Sequence, residues 1–276
     1  MKYYVTGATG FIGGKLTRKL LEQGHEIVAL VRSKERAQDL QELGVTLFKG
    51  DITDIESLRK SMPGVDGLFH VAAWYKVGVK NNKAYDINVN GTENVLEVMR
   101  ELEIPKGVYT STLAVNSDTR GELVDESYQF TGKHLSEYDK TKALAHQKAK
   151  EFIDAGLPLV IVMPGVVYGP GDTSQMGDVL RDFIHRDIPM VPKKTAYCWG
   201  HVDDIVDAHI AAMAKGRKGE EYIIAGPPHT FEEALDIAEA VSEIPAPKIK
   251  VAPGMLRFMS KLSAAVEPII KLPPEY

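Results

Sequence analysis

Near its N-terminus the chain reads Tyr3-Tyr-Val-Thr-Gly-Ala-Thr-Gly-Phe-Ile-Gly13, in which Gly7, Gly10 and Gly13 recur at every third position. The β-rich residues before Gly7 predict a strand over Tyr3–Thr6, and the apolar residues spaced at threes and fours after Gly10 predict a helix. A helix N-terminus offers unpaired backbone amides and a partial positive charge, and glycine lets a pyrophosphate approach that backbone closely. The stretch therefore predicts a phosphate-binding turn that opens a dinucleotide-binding fold.

Beyond this turn, short β-rich runs alternate with amphipathic segments, a pattern typical of a parallel sheet covered by helices on both faces. After Pro164 the pattern loosens, until a predicted helix over Val202–Lys215 and a strand return the chain to the sheet. We therefore predict an α/β fold, a Rossmann-type doubly wound parallel sheet with a small C-terminal substrate-binding lobe. Residues 1–170 with 200–226 form the predicted nucleotide-binding domain, and residues 171–199 and 227–276 form the lobe. The further predicted strands are Glu26–Val31, Thr46–Lys49, Gly67–Val71, Val108–Thr110, Leu159–Met163 and Glu221–Ile224.

Composition excludes several classes of function. The 276 residues carry a formal net charge of -5, which argues against a nucleic-acid-binding surface because neutralising phosphates requires clustered cations. The single cysteine, Cys198, cannot form an internal disulfide and fits a reducing compartment. No secretory signal and no apolar run of about 20 residues is evident, so the sequence predicts a cytoplasmic soluble protein with no membrane partner. No metal site is predicted.

The end of the second strand indicates which nicotinamide cofactor binds. An NAD site usually places an acidic residue there for the ribose hydroxyls, whereas an NADP site supplies cations for the 2′-phosphate. The sequence reads Ala29-Leu-Val-Arg-Ser-Lys-Glu-Arg36, with no acid between Ile27 and Lys34. Arg32 could bind phosphate through two hydrogen bonds, helped by Ser33, Lys34 or Arg36. NADP is therefore predicted and NAD is the alternative, although Lys34 to Arg36 could simply open a solvated helix.

A tyrosine and a lysine four residues apart supply a candidate catalytic pair. Tyr138-Asp-Lys-Thr-Lys142 begins a predicted helix over Tyr138–Ala155, which places both side chains on one face. A free phenol has a pKa of about 10 and is a poor acid or base at neutral pH. We expect the neighbouring ammonium and a cationic nicotinamide to favour the phenolate and lower that pKa.

Several ordered motifs together resemble the extended short-chain dehydrogenase/reductases of the NAD-dependent epimerase/dehydratase superfamily. They are Thr6-Gly-Ala-Thr-Gly-Phe-Ile-Gly13, the pair Tyr138 and Lys142, and Met163-Pro-Gly-Val-Val-Tyr-Gly-Pro170. The resemblance covers about residues 1–170 and 200–226. His70-Val-Ala-Ala-Trp-Tyr75 and Tyr109-Thr-Ser-Thr112 favour the branch that is similar to dihydroflavonol 4-reductases.

This resemblance implies a role for each candidate residue. The hydroxyl of Thr112, with Ser111 as the competitor, would hold the substrate oxygen, Tyr138 would exchange the proton, and Lys142 would bind the nicotinamide ribose while tuning Tyr138. Asp51 could instead cap the next helix, where Asp54 is better placed. The implied cofactor contacts are Gly7, Thr9, Gly10, Phe11, Ile12, Arg32, Asp51, Ile52, Val71, Ala72, Ala73, Tyr138, Lys142, Pro164 and Val167.

Three functions remain open from the sequence. The first is an NADP-dependent oxidoreductase that reduces a ketone or aldehyde of a small organic molecule. The second is an NAD-dependent nucleotide-sugar epimerase or dehydratase, against which Arg32 argues. The third is a non-catalytic dinucleotide sensor, which would be expected to lack Tyr138 or Lys142. The resemblance also implies a homodimer that pairs helices spanning about 84–102 and 138–155, and Asp203 or Asp204 is a candidate cap of the returning helix.

Overall fold

The computed structural model of the chain describes residues 1–75, 83–252 and 254–255. Part of the predicted lobe over 227–276 therefore lies outside the described residues. The strands are β1 (Lys2–Thr6), β2 (Glu26–Val31), β3 (Thr46–Lys49), β4 (Gly67–His70), β5 (Gly107–Thr110), β6 (Leu159–Pro164), β7 (Val166–Tyr168), β8 (Val191–Pro192), β9 (Ala196–His201), β10 (Glu221–Ile224), β11 (Pro228–Thr230) and β12 (Lys250–Val251). The α-helices are α1 (Phe11–Glu22), α2 (Gln38–Glu42), α3 (Ile55–Ser61), α4 (Lys83–Tyr85), α5 (Gly91–Glu101), α6 (Glu137–Asp154), α7 (Gln175–His185), α8 (Val202–Lys215) and α9 (Phe231–Ser242).

Seven of these strands form one parallel sheet in the order β10-β6-β5-β4-β1-β2-β3. The chain builds outward from β1 to β3, returns to β4 on the other side of β1, and then continues outward to β6 and β10. This reversal between β1 and β4 makes a crevice at the carboxyl ends of the strands, where α/β sheets of this kind bind ligands. The predicted α/β, Rossmann-type doubly wound sheet is confirmed.

The sheet is buried on both faces, because successive residues of each central strand enter different cores. Tyr4, Leu68 and Tyr109 pack with α3, α5 and α6 on one face. Their neighbours Val5, Phe69 and Val108 pack with α1, α2 and α8 on the other face. Helices therefore cover both sides, and polar side chains of the central strands must find partners within the protein.

The structure adds detail to one local expectation and corrects another. The helix expected over about 84–102 is present as one continuous helical segment, in which a π-helical turn over Asp86–Asn90 lies between α4 and α5. The wider turn accompanies the buried side chain of Asn88, which bonds the backbone of Trp74 outside the helix. Neither Asp203 nor Asp204 caps α8, because both lie inside its first turn, and the ring of His201 accepts the Asp203 amide instead.

The chain divides into two compact units, Met1–Ser174 with Gly200–Gly226 and Gln175–Trp199 with Pro227–Tyr276. The first unit contains the whole parallel sheet. The described part of the second unit has its own small core of Phe183, Val191, Phe231 and Leu235. In that unit β11 pairs antiparallel with β9, and β12 pairs parallel with β8. No helix in the described part of the chain is both long and apolar enough to span a membrane.

Candidate functional site

The sequence-predicted site residues of the first unit gather at one edge of the sheet. The glycine turn follows β1, Arg32 follows β2 and Asp51 follows β3 shortly after Gly50. Val71, Ala72 and Ala73 follow β4, Thr112 follows β5, and Pro164 ends β6. Because all these strands are parallel, their carboxyl ends lie side by side. Topology thus brings residues that are up to about 160 positions apart in the chain to the crevice edge.

The glycine turn is closely packed, and its backbone is open to a ligand. Gly7 has a φ of +74°, and a Cβ at this position would lie 2.7 Å from the amide nitrogen of Ala72. A Cβ on Gly13 would overlap the carbonyl oxygen of Gly7. Gly10 is the N-cap of α1 but has no side chain to occupy the helix N-terminus, and the first turn contains no acidic residue. This cradle fits the pyrophosphate of a dinucleotide.

The residues after β2 divide between two recesses. Arg32 is exposed directly after the strand. Arg36 lines a recess with Thr9 and Gly10 of the glycine turn, whereas Lys34 lines another recess with Glu35, Gln38 and Glu42. The hydroxyl of Ser33 donates to Glu35 at 2.5 Å and accepts the amide of Arg36 at 3.3 Å. Ser33, Lys34 and Arg36 were the residues expected to assist Arg32 in binding phosphate. Of these, Arg36 lies on the side of the glycine turn.

At the end of β3, Asp51 and Ile52 have different environments. Oδ1 of Asp51 accepts hydrogen bonds from the amide and hydroxyl of Thr53 at 3.0 and 2.9 Å. Asp54 caps α3 by accepting the amide of Glu56 at 3.1 Å, so Asp51 is not the cap. Ile52 is buried, and a Cβ on Gly91 would lie 2.7 Å from its side chain. Both positions lie along the same strand edge as Arg32.

The backbone after β4 is held by side chains from two directions. The amides of Val71 and Ala72 each donate to the hydroxyl of Thr6 at 3.2 Å. Asn88 accepts the amide of Trp74 at 2.7 Å and donates to the Trp74 carbonyl at 3.0 Å and to the hydroxyl of Thr141 at 3.0 Å. The small residues Ala72 and Ala73 therefore present a fixed backbone beside the glycine turn.

The two hydroxyls after β5 have different partners. The buried Ser111 bonds Nδ1 of His146 at 2.8 Å, and Nε2 of His146 lies 3.2 Å from a carboxylate oxygen of Glu221. A carboxylate only accepts, so His146 donates through Nε2 and its Nδ1 remains for Ser111. Thr112 accepts the amide of Ala114 at 3.2 Å, and its hydroxyl is near enough to Tyr138 to act to lower the pKa of that phenol. Of the two hydroxyls, that of Thr112 is therefore the one near Tyr138.

The protein's own groups do not produce the expected lowering of the Tyr138 pKa. Burial raises the pKa of Tyr138, which the hydrogen bond with Thr112 acts to lower and the nearby Asp139 acts to raise. The ammonium of Lys142 is directed elsewhere, because its Nζ donates to the carbonyl of Thr110 at 2.9 Å and to the hydroxyl of Tyr109 at 3.2 Å. Tyr138 is therefore held as a neutral phenol over the neutral pH range.

Lys142 itself is fully enclosed. The residue is 2 % exposed, and burial lowers the pKa of its ammonium to about 7. The strand end that it contacts is also fixed from the opposite face, since the hydroxyl of Thr110 bonds Nε2 of His209 on α8 at 2.8 Å. Nδ1 of His209 bonds the Ile205 carbonyl at 2.7 Å, and burial lowers the pKa of His209 to about 4. Lys142 thus has a rigid acceptor in the Thr110 carbonyl.

Pro164 and Val167 lie beyond this cluster. Pro164 is the last residue of β6, paired with Ile224 of β10, and so extends the predicted strand by one residue. Val167 lies in the short strand β7, where the prolines and glycines alone indicated a loop. Pro164 ends and Val167 follows the strand next to β5, on the side away from β1 and the glycine turn.

Sequence reasoning did not assign a role to several buried polar residues behind the site. They are Thr6, His70, Asn88, Thr92 and Tyr109. His70 and Tyr109 stand within motifs that the sequence singled out, but their side chains were not considered. A polar residue within an otherwise apolar strand was the available signal, since a fully buried polar group requires an internal partner.

Comparisons with known proteins agree with this geometry. The sequence profile of the NAD dependent epimerase/dehydratase family matches residues 3–225. A Synechocystis sp. protein provisionally named dihydroflavonol 4-reductase is 35% identical over 255 residues, which cover 89% of this chain and 74% of that protein. A ketoreductase of Stigmatella aurantiaca, named for a 4-hydroxy-2-methyl-3-oxo-4-farnesyl-3,4-dihydroquinoline-1-oxide substrate, is 32% identical and covers 96% of this chain and 79% of its own length.

A solved structure is similar over nearly the whole chain. The crystal structure of a protein designated gox2253 superimposes with a TM-score of 0.86 at 29% sequence identity. That match covers 99% of this chain and 84% of the other. The similarity therefore includes residues of both compact units.

Proposed function

This chain belongs to the NAD-dependent epimerase/dehydratase family and is an NAD(P)-dependent oxidoreductase, and on that premise we propose that it uses NADPH to reduce a ketone or aldehyde of a small organic molecule. The observation that carries the choice of NADP is Arg32, an exposed cation directly after β2 with no acid between Ile27 and Lys34. Relatives named as a dihydroflavonol 4-reductase and a ketoreductase support the carbonyl as substrate.

The residues of the first unit suit a reduction. The glycine turn with Gly7, Gly10 and Gly13 would hold the pyrophosphate, with Thr9, Phe11 and Ile12 completing the N-terminal turn of α1. Arg32 and Arg36 would hold the 2′-phosphate. Asp51 and Ile52 would flank the adenine, and the backbone of Val71, Ala72 and Ala73 would lie along the phosphates and ribose. Bound NADPH would supply the hydride. Pro164 and Val167 would lie beside the nicotinamide.

Proton transfer would then depend on three side chains. Thr112 would hold the substrate oxygen, and the phenol of Tyr138, which lies near Thr112, would donate a proton as negative charge develops on that oxygen. A raised pKa keeps Tyr138 protonated, which is the state that a proton donor requires. Lys142 has two of its three N–H bonds occupied and would direct the third to the nicotinamide ribose.

Removal of the Arg32 guanidinium tests the cofactor choice. We expect the parent protein to bind NADPH more tightly than NADH, and Arg32→Ala to remove most of the difference, because the 2′-phosphate loses a charge-assisted contact worth about 1.5–3 kcal/mol. Titration of both dinucleotides by fluorescence measures this preference. Lys34→Ala is the matched control, since Lys34 lines the recess away from the glycine turn. Equal affinities in the parent, or an unchanged preference in Arg32→Ala, would contradict the proposal.

The second candidate function, a nucleotide-sugar epimerase or dehydratase, is favoured by the family name alone. Such an enzyme oxidises and then re-reduces its substrate and so retains NAD. Mass spectrometry of the dinucleotide carried through a native purification separates the two functions: exchangeable NADP agrees with the reductase, and tightly retained NAD would favour the epimerase.

The binding partners, the oligomeric state and the cellular location stay predictions from composition and resemblance. We propose a cytoplasmic protein whose second unit contributes to substrate binding and which acts on neither nucleic acid nor membranes.

We also propose a homodimer through the outer faces of α5 and α6. There Lys148 lies 3.6 Å from Glu93 and 3.2 Å from Glu151, and Leu144 is 40% exposed. A monomer mass in sedimentation experiments across the micromolar range would reject the dimer.

A further inference from the structure

Two buried polar residues that the proposed mechanism does not use lie next to Lys142. Tyr109 on β5 and His70 on β4 are both 0 % exposed. Their rings are stacked, with centroids 5.4 Å apart and an interplanar angle of 21°. The Nζ atom of Lys142 lies 4.8 Å from the centroid of the Tyr109 ring and 3.2 Å from its hydroxyl oxygen. Tyr109 therefore contacts both a catalytic candidate and a buried imidazole.

The hydrogen bonds behind Tyr109 have a defined direction. The hydroxyl of Thr6 accepts the amides of Val71 and Ala72, so its own proton points to Nδ1 of His70 at 2.8 Å. Nδ1 is then an acceptor, and Nε2 carries the ring proton and donates to the hydroxyl of Thr92 at 3.0 Å. Burial, with the nearby Lys142, lowers the pKa of His70 to about 3, so the ring is neutral.

Thr92 lies close enough to Tyr109 for its hydroxyl to lower the pKa of that phenol. Three side chains from β1, β4 and α5 form one hydrogen-bonded series: Thr6, His70 and Thr92. The series begins at two backbone amides and fixes the His70 ring, on which the Tyr109 ring is stacked. The position of the phenol oxygen that accepts from Lys142 therefore depends on a ring that is itself held by hydrogen bonds.

The hydrogen bonds of Lys142 explain why the position of the Tyr109 hydroxyl oxygen matters. An ammonium has three N–H donors. One donates to the Thr110 carbonyl and one to the Tyr109 hydroxyl, and neither acceptor is a carboxylate. With two donors directed at fixed atoms, the direction of the third is fixed as well. A lysine side chain held at one acceptor alone would keep rotational freedom about its last bonds.

We propose that Tyr109 is a positioning residue for Lys142, held in place by the stacked ring of His70, which Thr6 and Thr92 fix by hydrogen bonds, so that one N–H of the ammonium remains aimed at the dinucleotide. The assignment of that third N–H to a dinucleotide rests on the proposed function, but the bond between Tyr109 and Lys142 does not. Removal of the phenol oxygen would take away one of the two acceptors that stabilise the charged amine.

The other titratable groups around Lys142 do not replace this acceptor. His70 faces it from β4 and is neutral, and Tyr138 precedes it by one turn on α6. The charged form of Lys142 therefore depends on the Tyr109 hydroxyl and the Thr110 carbonyl.

The test is a pH titration of Lys142. It is observed by NMR of the full chain labelled with ¹³C at the lysine ε-carbons. The signal of Lys142 is the one absent from Lys142→Met. We expect Tyr109→Phe to lower its midpoint by about one pH unit, because one hydrogen bond to a charged group is lost. Thr92→Val should shift the midpoint in the same direction by less, since the phenol remains while the His70 ring stacked on it loses a hydrogen bond. Tyr4→Phe is the matched control, because Tyr4 is equally buried and its hydroxyl bonds Ser61 at 2.6 Å instead.

NADPH affinity, measured on the same variants, should fall about tenfold in Tyr109→Phe, a loss corresponding to one hydrogen bond to a charged group. Affinity should be unchanged in Tyr4→Phe. A Tyr109→Phe midpoint equal to that of the parent, or an equal shift in Tyr4→Phe, would overturn the inference. If the parent binds no dinucleotide the proposed function fails, while the titration of Lys142 still decides whether Tyr109 positions it.

Discussion

Replacement of Tyr138 by phenylalanine is expected to lower kcat by on the order of 10²–10⁴-fold, the range typical of a lost general acid. The substitution removes one hydroxyl and little packing volume, so the fold and the affinity for NADPH should change little. The hydroxyl in question lies near Thr112, and burial raises its pKa and so keeps it protonated. Steady-state consumption of NADPH with a ketone or aldehyde found by screening measures the effect, and a dinucleotide titration measures the affinity.

Two further variants make this experiment specific. Tyr128→Phe is the control, because the hydroxyl of Tyr128 donates to the carbonyl of Asp118 in an exposed loop and should be dispensable for turnover. Lys142→Ala should impair both turnover and dinucleotide binding, since its ammonium is assigned to both. If Tyr138→Phe turns over the substrate within a few-fold of the parent rate, the proton donor is another group and the non-catalytic sensor becomes the better interpretation.

Substitution of Gly7 by alanine is expected to weaken dinucleotide binding by on the order of 10²-fold, the size of effect that a misplacement of about 1 Å can have on aligned groups. Gly7 has a φ of +74°, and its Cβ would lie 2.7 Å from the amide nitrogen and 2.9 Å from the Cα of Ala72. These atoms belong to the backbone after β4, which Thr6 holds in place. The turn itself must therefore move, and its amides lose their common alignment on the pyrophosphate.

Gly24 provides the matched control for this substitution. It has a φ of +78°, and a Cβ there would meet nothing within 4 Å. Both Gly7→Ala and Gly24→Ala carry the cost of about 1 kcal/mol for a left-handed alanine, so thermal unfolding should show a loss in both, with a further loss in Gly7→Ala from the contact with Ala72. Dinucleotide affinity should fall only in Gly7→Ala. Equal affinities of the two variants would mean that the close approach to Ala72 plays no part in binding.

The sequence was sufficient for the features that repeat or that occur within a short segment. Alternation of strands and helices identified all seven strands of the main sheet, and the terminal residues of β2, β3 and β10 agree with the expected ones. The glycine spacing located the turn between β1 and α1, and the spacing of Tyr138 and Lys142 placed both on α6. These features are local, because hydrophobic periodicity and backbone conformation are properties of a few consecutive residues.

Features that depend on contacts between distant segments were decided only by the tertiary structure. The sequence left Thr112 and Ser111 as alternatives, and their difference lies in partners 26 and 35 positions away, Tyr138 and His146. The expected lowering of the Tyr138 pKa was wrong for the protein's own groups, because burial opposes it and Lys142 bonds Thr110 and Tyr109 instead. Desolvation and hydrogen-bond partners are set by three-dimensional packing, which spacing along the chain does not specify. The motifs thus determined which fold and which chemistry to expect, while the packing of α6 against β5 decided which hydroxyl lies against Tyr138 and where the ammonium of Lys142 is directed.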